Sequence, residues 1–240
     1  MPAITLPRLI GHRGICALAP ENTLGGIRKA AQLGVRWVEL DVVLLGDGTP
    51  VICHDARLER VAGRAQSLQA LSLADIEQID VAAHCNGWPQ PEPLPTLAQT
   101  LALLEELGMG LNLEIKDYGE DPRRIVQAVA AQVEAFEPER LILSSFSVEQ
   151  LQQCRLRLPD HARGLITAAL PPDWPALLQR LDCYSVHFEY RCLEEAVIRQ
   201  LKACNYPLIA WTVNAAADVE RLFGLGVDAL ISDCPPALGL

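Results

Sequence analysis

Eight short apolar or β-branched segments alternate with helical ones along this chain of 240 residues. That pattern predicts an α/β protein whose parallel strands close into a (β/α)8 (TIM) barrel. Two further observations point the same way. No G-x-G-x-x-G follows any strand, which counts against a dinucleotide-binding open sheet, the alternative fold for this alternation. His12-Arg13, Glu39, Asp41, His54, Glu114, Lys116, Phe146, Trp211 and Asp233 all fall near strand ends, on the side where barrels gather their chemistry. One domain over 1–240 is expected, with 55–95 as a small insertion over the barrel mouth, following the second-strand hairpin.

Taken in order, Leu9-Ile10-Gly11-His12 is the first strand. Asn22 or Thr23 caps a helix over Leu24–Leu33 that Gly34 stops. Trp37–Leu45 is the second strand, and Val51–His54 returns beside it. Residues 55–95 hold Arg57, Arg60, Arg64, a short helix near Leu73–Ile79 and the proline-rich run Asn86–Pro93, and read as having little regular structure. The chain then becomes regular. Helices are expected over Leu97–Leu107, Pro122–Phe136 (capped by Asp121, with Pro122 in the first turn), Ser147–Leu156, Trp174–Leu181, Leu193–Cys204 and Ala216–Phe223. Strands are expected over Gly110–Lys116, Leu141–Phe146, Gly164–Thr167, Tyr184–Phe188, Leu208–Val213 and Ala229–Asp233.

The second-strand hairpin carries the sharpest expectation. Glu39 and Asp41 lie two apart, so both carboxylates project from one face. A two-residue Asp47-Gly48 turn pairs Gly46 with Thr49 and therefore sets Asp41 opposite His54. A loop one residue longer or shorter would move His54 to the other face. Cys53 points away from that face in this register, so a thiol nucleophile is not expected.

Composition narrows the function. Half the residues are hydrophobic, enough for a sizeable core, and no apolar run approaches a membrane span of about 20 residues. The first eight residues are too short and polar for a signal peptide, and the eight cysteines form no C-x-x-C pair. Reduced, mostly buried thiols in a cytoplasmic protein follow. The net charge is −10 and no basic run occurs, which argues against nucleic acid as a partner.

Each candidate residue also has a structural reading. A strand-end acid can be a solvated cap, a histidine can be a hydrogen-bonded core group, and Arg13 and Lys116 can be plain salt-bridge partners. Strand aromatics such as Phe146, Phe188 and Trp211 are commonly core. The combination tilts the balance toward chemistry. Three carboxylates at Glu39, Asp41 and Glu114 would make an oxygen-rich site for Mg²⁺ or Ca²⁺. His12 and His54 suit an acid/base pair, and two cations at the same mouth suit an anionic phosphoryl group. His84, His161 and His187 lack such context and read as structural.

His12-Arg13-Gly14, Ala19-Pro20-Glu21-Asn22-Thr23, Glu39-Leu40-Asp41, His54-Asp55 and Glu114-Ile115-Lys116 together resemble the glycerophosphodiester phosphodiesterase family. Ser144-Ser145-Phe146, Trp211-Thr212-Val213-Asn214 and Ile231-Ser232-Asp233 fit it too, so the resemblance runs over nearly the whole chain and is closest to compact bacterial cytoplasmic members. It implies a (β/α)8 barrel and hydrolysis of a small anionic glycerophosphodiester to sn-glycerol 3-phosphate and an alcohol. It implies divalent-metal ligands at Glu39, Asp41 and Glu114, proton acceptance by His12 and donation by His54. Arg13 and Lys116 would hold the phosphate. Apart from the resemblance, the strand-end positions of Phe146, Phe188 and Trp211 would let them line a pocket. The attacking oxygen is either water or the adjacent glycerol hydroxyl. A second reading is lysophospholipase-D-type cleavage, with Trp88 and the nearby prolines supplying part of an acyl groove. A third is an anion-binding barrel without turnover, disfavoured by the joint presence of both histidines and all three acids. The metal's identity, the alcohol released and the oligomeric state stay open.

Overall fold

The computed structural model describes residues 2–192 and 194–239, so Met1 and the expected helix start at Leu193 lie outside the described residues. In chain order the elements are β1 (Leu9–Gly11), α1 (Leu24–Gln32), β2 (Trp37–Leu44), β3 (Pro50–Ile52), α2 (Glu59–Ala62) and α3 (Leu73–Ile76). There follow α4 (Leu97–Leu107), β4 (Gly110–Ile115), α5 (Pro122–Val133), β5 (Leu141–Ser145), α6 (Val148–Arg157) and β6 (Ala162–Thr167). The chain ends with α7 (Trp174–Leu181), β7 (Ser185–Glu189), α8 (Glu195–Ala203), β8 (Leu208–Trp211), α9 (Ala216–Gly224) and β9 (Ala229–Ser232). Parallel pairing runs from β1 through β2 and β4 to β9 and back to β1, which closes an eight-stranded barrel with β3 appended antiparallel to β2. The open-sheet alternative is thereby excluded.

Local chemistry explains the boundaries. Thr23, not Asn22, caps α1: its hydroxyl accepts from the Gly26 amide at 2.9 Å. Thr96 and Gln99 form a reciprocal capping box on α4, and Gly108 ends that helix in the left-handed conformation. β6 begins two residues earlier than its apolar run because Arg163 is taken fully inside. Its guanidinium donates to the His161 carbonyl at 2.8 Å and to the Asp182 carboxylate at 2.6 Å, so the buried charge is paired.

Register across the barrel sets the site. Trp37 packs over Gly110 at the closed end, where a Cβ on Gly110 would come within 2.1 Å of the indole. One layer up, Glu39 sits beside Asn112, and one layer further Asp41 sits beside Glu114, itself beside Ser144. Apolar residues including Ile10, Ile142, Ile209 and Ile231 form a buried cluster with Trp37, while two larger clusters join the strands to the helices. A fourth cluster packs Leu58, Val61, Leu68, Leu71, Ile76, Ile79, Val81 and Leu94 against Val43, Leu45, Val51 and Cys53 of the hairpin. Residues 55–95 thus carry two four-residue helices and a 3₁₀ turn around an apolar centre, more order than their texture suggests.

The hairpin register differs from expectation. Val42 pairs with Ile52, Val43 with Val51 and Leu44 with Pro50, so Asp41 stands opposite Cys53 and not His54. The cause is a three-residue loop. The Leu45 amide donates to the Thr49 carbonyl at 2.9 Å, leaving Gly46-Asp47-Gly48 between them with Gly48 at φ +91°. Asp47 then accepts from the Thr49 amide at 2.9 Å and from the Leu73 amide at 2.8 Å, tying the turn to α3.

Candidate active site

That register by strict alternation would send His54 away from Asp41. It does not, because β3 ends at Ile52 and the chain bends over His54 and Asp55, swinging the imidazole back to the barrel mouth. The Tyr118 hydroxyl donates to the His54 carbonyl and holds the bend. His12 comes from a different strand, immediately after β1, with its amide on the Ser232 carbonyl at 2.8 Å. A Cβ on Gly11 would lie 1.8 Å from the Gly14 carbonyl oxygen, so glycine is required for the chain to turn there.

Nine of the ten strand-end residues singled out above, His12, Arg13, Glu39, Asp41, His54, Glu114, Lys116, Phe146 and Trp211, line one cavity of about 270 Å³ at this end of the barrel; Asp233 stands behind His12 and is not part of its lining. One carboxylate oxygen from each of Glu39, Asp41 and Glu114 lies within 4.8 Å of the other two. Glu39 and Asp41 are buried. Burial, then Asp41 and Glu114, hold Glu39 well above the ordinary carboxylate range. Burial and Asp41 also raise Glu114, against the opposing pull of Lys116. The Lys116 ammonium bonds Glu114 at 2.7 Å and lies 3.4 Å from Asp41. Burial acts to discharge Lys116, but these carboxylates outweigh it and raise its pKa. Arg13 bonds Glu21 at 3.0 Å, its Nε stands 3.6 Å from Asp41, and its amide donates to Glu39 at 3.1 Å. Three acids against two cations leave the cluster one negative charge in excess, and with its close oxygens this suits a hard divalent ion.

Each histidine is backed by a carboxylate. His12 Nδ1 meets Asp233 Oδ1 at 2.5 Å, leaving Nε2 3.9 Å from Glu39. His54 Nδ1 meets Asp55 Oδ1 at 2.6 Å. Asp233 is held far below the usual carboxylate range, first by the His12 bond, so it is an acceptor and Nδ1 of His12 carries the proton. Burial opposes ionisation of Asp55, but bonds from Arg60 and His54 outweigh it and lower its pKa. His54 itself is lowered, mainly by burial, with Asp41 and Asp55 pulling the other way. Phe146 and Trp211 meet edge to face at the rim, ring centroids 5.9 Å apart, with Phe146 half exposed.

The glycerophosphoryl diester phosphodiesterase family model matches residues 12–237. The chain belongs to that family. It is 30% identical to a glycerophosphodiester phosphodiesterase of Caldanaerobacter subterraneus subsp. tengcongensis, over 96% of this chain and 95% of the relative. The barrel superposes on a phosphodiesterase of Oleispira antarctica solved with the product sn-glycerol-3-phosphate, with a TM-score of 0.90, 34% identity and coverage of 97% and 95% of the two chains. A glycerophosphodiester phosphodiesterase of Agrobacterium tumefaciens shares the fold at TM-score 0.79 and 22% identity, over 98% of this chain and all of the other. As a member of the family, this protein is an enzyme, a glycerophosphodiester phosphodiesterase.

Several residues around this phosphodiesterase site were not assigned from sequence. Asn22, read as a helix cap, brackets Asp41: its amide donates to the carboxylate at 2.8 Å and its carbonyl accepts the Asp41 amide at 3.2 Å. Arg60 of the 55–95 segment clamps Glu21 at 2.6 and 2.7 Å and Asp55 at 2.7 Å. Asn112 and His187 line the cavity, and both amide atoms of Asn112, Nδ1 of His187 and Nε1 of Trp211 are buried without a hydrogen-bond partner among the described residues. The spacing Asn112-x-Glu114 could have revealed the first, since residues two apart share a strand face. Trp88 does not line the cavity: its indole donates to Glu92 at 3.1 Å and packs beside Gly25 of α1.

Proposed function

We propose that this enzyme cleaves small glycerophosphodiesters to sn-glycerol 3-phosphate and an alcohol, using a divalent cation, Mg²⁺ or Ca²⁺, held by Glu39, Asp41 and Glu114. The observation that carries the reading is the pair of carboxylate-backed imidazoles flanking the three-acid cluster. When bound, the cation neutralises diester oxygens and offsets charge building on phosphorus. Arg13 and Lys116 add fixed positive charge for the phosphoryl oxygens. His12, its Nδ1 proton held by Asp233, presents Nε2 as the acceptor for the attacking oxygen's proton. His54 stands on the more exposed side, 31% against 20% for the two side chains, where a leaving alcohol can depart. It gives its proton to the departing alkoxide as the P–O bond breaks; burial lowers its pKa and so eases that release, while Asp41 and Asp55 pull the other way and limit the lowering. The unpartnered atoms of Asn112, His187 and Trp211 match a hydroxyl-bearing glycerol end, which would satisfy them on binding. The product bound by the Oleispira antarctica relative is of that chemistry. The lyso-lipid alternative is less well supported, because Trp88, which would have supplied part of an acyl groove, is bonded to Glu92 away from the cavity.

EDTA is expected to abolish hydrolysis of glycerophosphocholine, and excess Mg²⁺ or Ca²⁺ to restore it; activity indifferent to chelation would remove the metal from the reading. His12→Ala and His54→Ala are each expected to lower kcat by about 10²-fold or more. A loss under about threefold in either removes that residue from the acid/base pair.

A further inference from the structure

His12 has a second neighbour that hydrolysis does not use. Cys16 follows it by four residues in the turn before α1, with the Cys16 amide on the His12 carbonyl at 3.2 Å. Its thiol donates to Asp233 Oδ1 at 2.9 Å and lies 3.7 Å from His12 Nδ1. Nitrogen, sulfur and oxygen donors from His12, Cys16 and Asp233 therefore all lie within 4.8 Å of one another, and all three residues are half-buried. This set stands on the Nδ1 side of the imidazole, whereas the three-acid cluster is reached from Nε2.

The two clusters differ in kind. Glu39, Asp41 and Glu114 offer only oxygen and favour a hard ion, while thiolate, imidazole and carboxylate together are a zinc donor set. Bond lengths of about 2.0–2.3 Å around tetrahedral zinc put its ligand atoms about 3.3–3.6 Å apart. The sulfur–nitrogen distance of 3.7 Å already fits, and Asp233, at 2.5 and 2.9 Å from the other two, need only withdraw by less than about 1 Å. Asn214, which bonds the other Asp233 oxygen at 2.6 Å, steadies the carboxylate in either position.

We propose that His12, Cys16 and Asp233 form a second, inhibitory metal site for Zn²⁺, with a water in the fourth position. On binding, the Cys16 thiol loses its proton to solvent and the sulfur bonds the ion. The His12 proton moves from Nδ1 to Nε2 as Nδ1 becomes a ligand. Nε2 then bears hydrogen toward the cavity and can no longer accept a proton from the attacking oxygen. Zinc binding itself does not depend on the proposed function; only the inhibition rests on His12 acting as the acceptor.

The test uses the full chain with Mg²⁺ saturating, and Co²⁺ as a visible stand-in for Zn²⁺. One equivalent of Co²⁺ is expected to give a thiolate-to-cobalt charge-transfer band that Cys16→Ser abolishes and Cys234→Ser keeps. Zn²⁺ is expected to lower turnover at least about tenfold without relief by more Mg²⁺, and Cys16→Ser to demand at least about tenfold more Zn²⁺ for the same effect. Cys16→Ala repeats both readings should the serine variant fold poorly. No thiolate band at stoichiometric Co²⁺, or a band that survives loss of Cys16, overturns the site. A Cys16-dependent band with unchanged turnover supports the site and removes His12 as the proton acceptor.

Discussion

A histidine passes a proton in a chosen direction only if its tautomer is fixed, and the acid/base roles proposed for His12 and His54 therefore depend on the two acids that hold them. Asp233 and Asp55 each take Nδ1, at 2.5 and 2.6 Å, and leave Nε2 free. Asparagine in either place can offer a hydrogen where the carboxylate accepts one, and so favours the wrong tautomer. Asp233→Asn and Asp55→Asn are each expected to lower kcat at least about tenfold while KM changes little, as steady-state kinetics on glycerophosphocholine would read. Equal losses in kcat/KM and substrate affinity with unchanged kcat would instead assign these acids to binding. That His12 and His54 reach the barrel mouth was legible in the sequence, because they sit beside charged residues at strand ends. That Asp233 and Asp55 would pair with them was not. Asp233 is separated from His12 by 221 positions and reaches it only because β9 closes against β1. Asp55 is adjacent to His54, yet adjacent strand residues ordinarily face apart, and only the bend after β3 turns both to one task.

At the scale of elements, the barrel was readable because helices and strands here carry their own signals: Thr96 and Gly108 around α4, Asp121 and Pro122 at α5, and apolar runs between them. What misled was the turn. Asp47-Gly48 is a strong two-residue signal, but Gly46 lies so close to the chain beneath it that a Cβ there would come within 2.3 Å of the Gln69 carbonyl oxygen, and contacts from residues 68–73 decide the matter. The Gly46 amide donates to the Leu71 carbonyl at 2.9 Å, and Asp47 is shared with Leu73. Tertiary packing of a segment with weak local preferences thus fixed a register that local preference alone would set differently. Between β6 and β7 the sequence was equally silent. Gly164 pairs with Ser185, and a Cβ on Gly164 would lie 2.4 Å from Nε2 of His187, which bonds the Ser185 hydroxyl at 2.9 Å. Glycine is therefore the space into which the His187 ring fits beside the cavity. Gly164→Ala is expected to destabilise the protein by about 1–3 kcal/mol and to raise KM as His187 shifts. Urea unfolding and kinetics on one preparation would check both; unchanged KM would detach His187 from the substrate end.

For the molecule as a whole, the same buried imidazole couples stability to acid. His187 is fully buried, and burial alone lowers its pKa to about 3. Unfolded, it titrates near 6.5. Between those values the unfolded chain binds a proton that the folded barrel refuses, so stability is intact above about pH 6.5 and falls as the pH drops toward 3. At pH 5 the loss from this residue alone is about 2 kcal/mol, a sizeable share of a typical domain's margin. His161, lowered chiefly by burial, acts in the same direction. Asp55 adds a second decline further down the scale: its lowered pKa gives stability that is present above the ordinary carboxylate value and disappears as the pH falls through the folded one. The histidine contribution is separable because glutamine cannot titrate. His187→Gln is expected to be less stable than the parent at pH 7.5, where the lost packing and the Ser185 bond dominate, yet to lose less further stability between pH 7 and 5. Urea midpoints and slopes measured across that window would decide it, and parallel losses in parent and variant would mean that His187 does not set the acid sensitivity of the barrel.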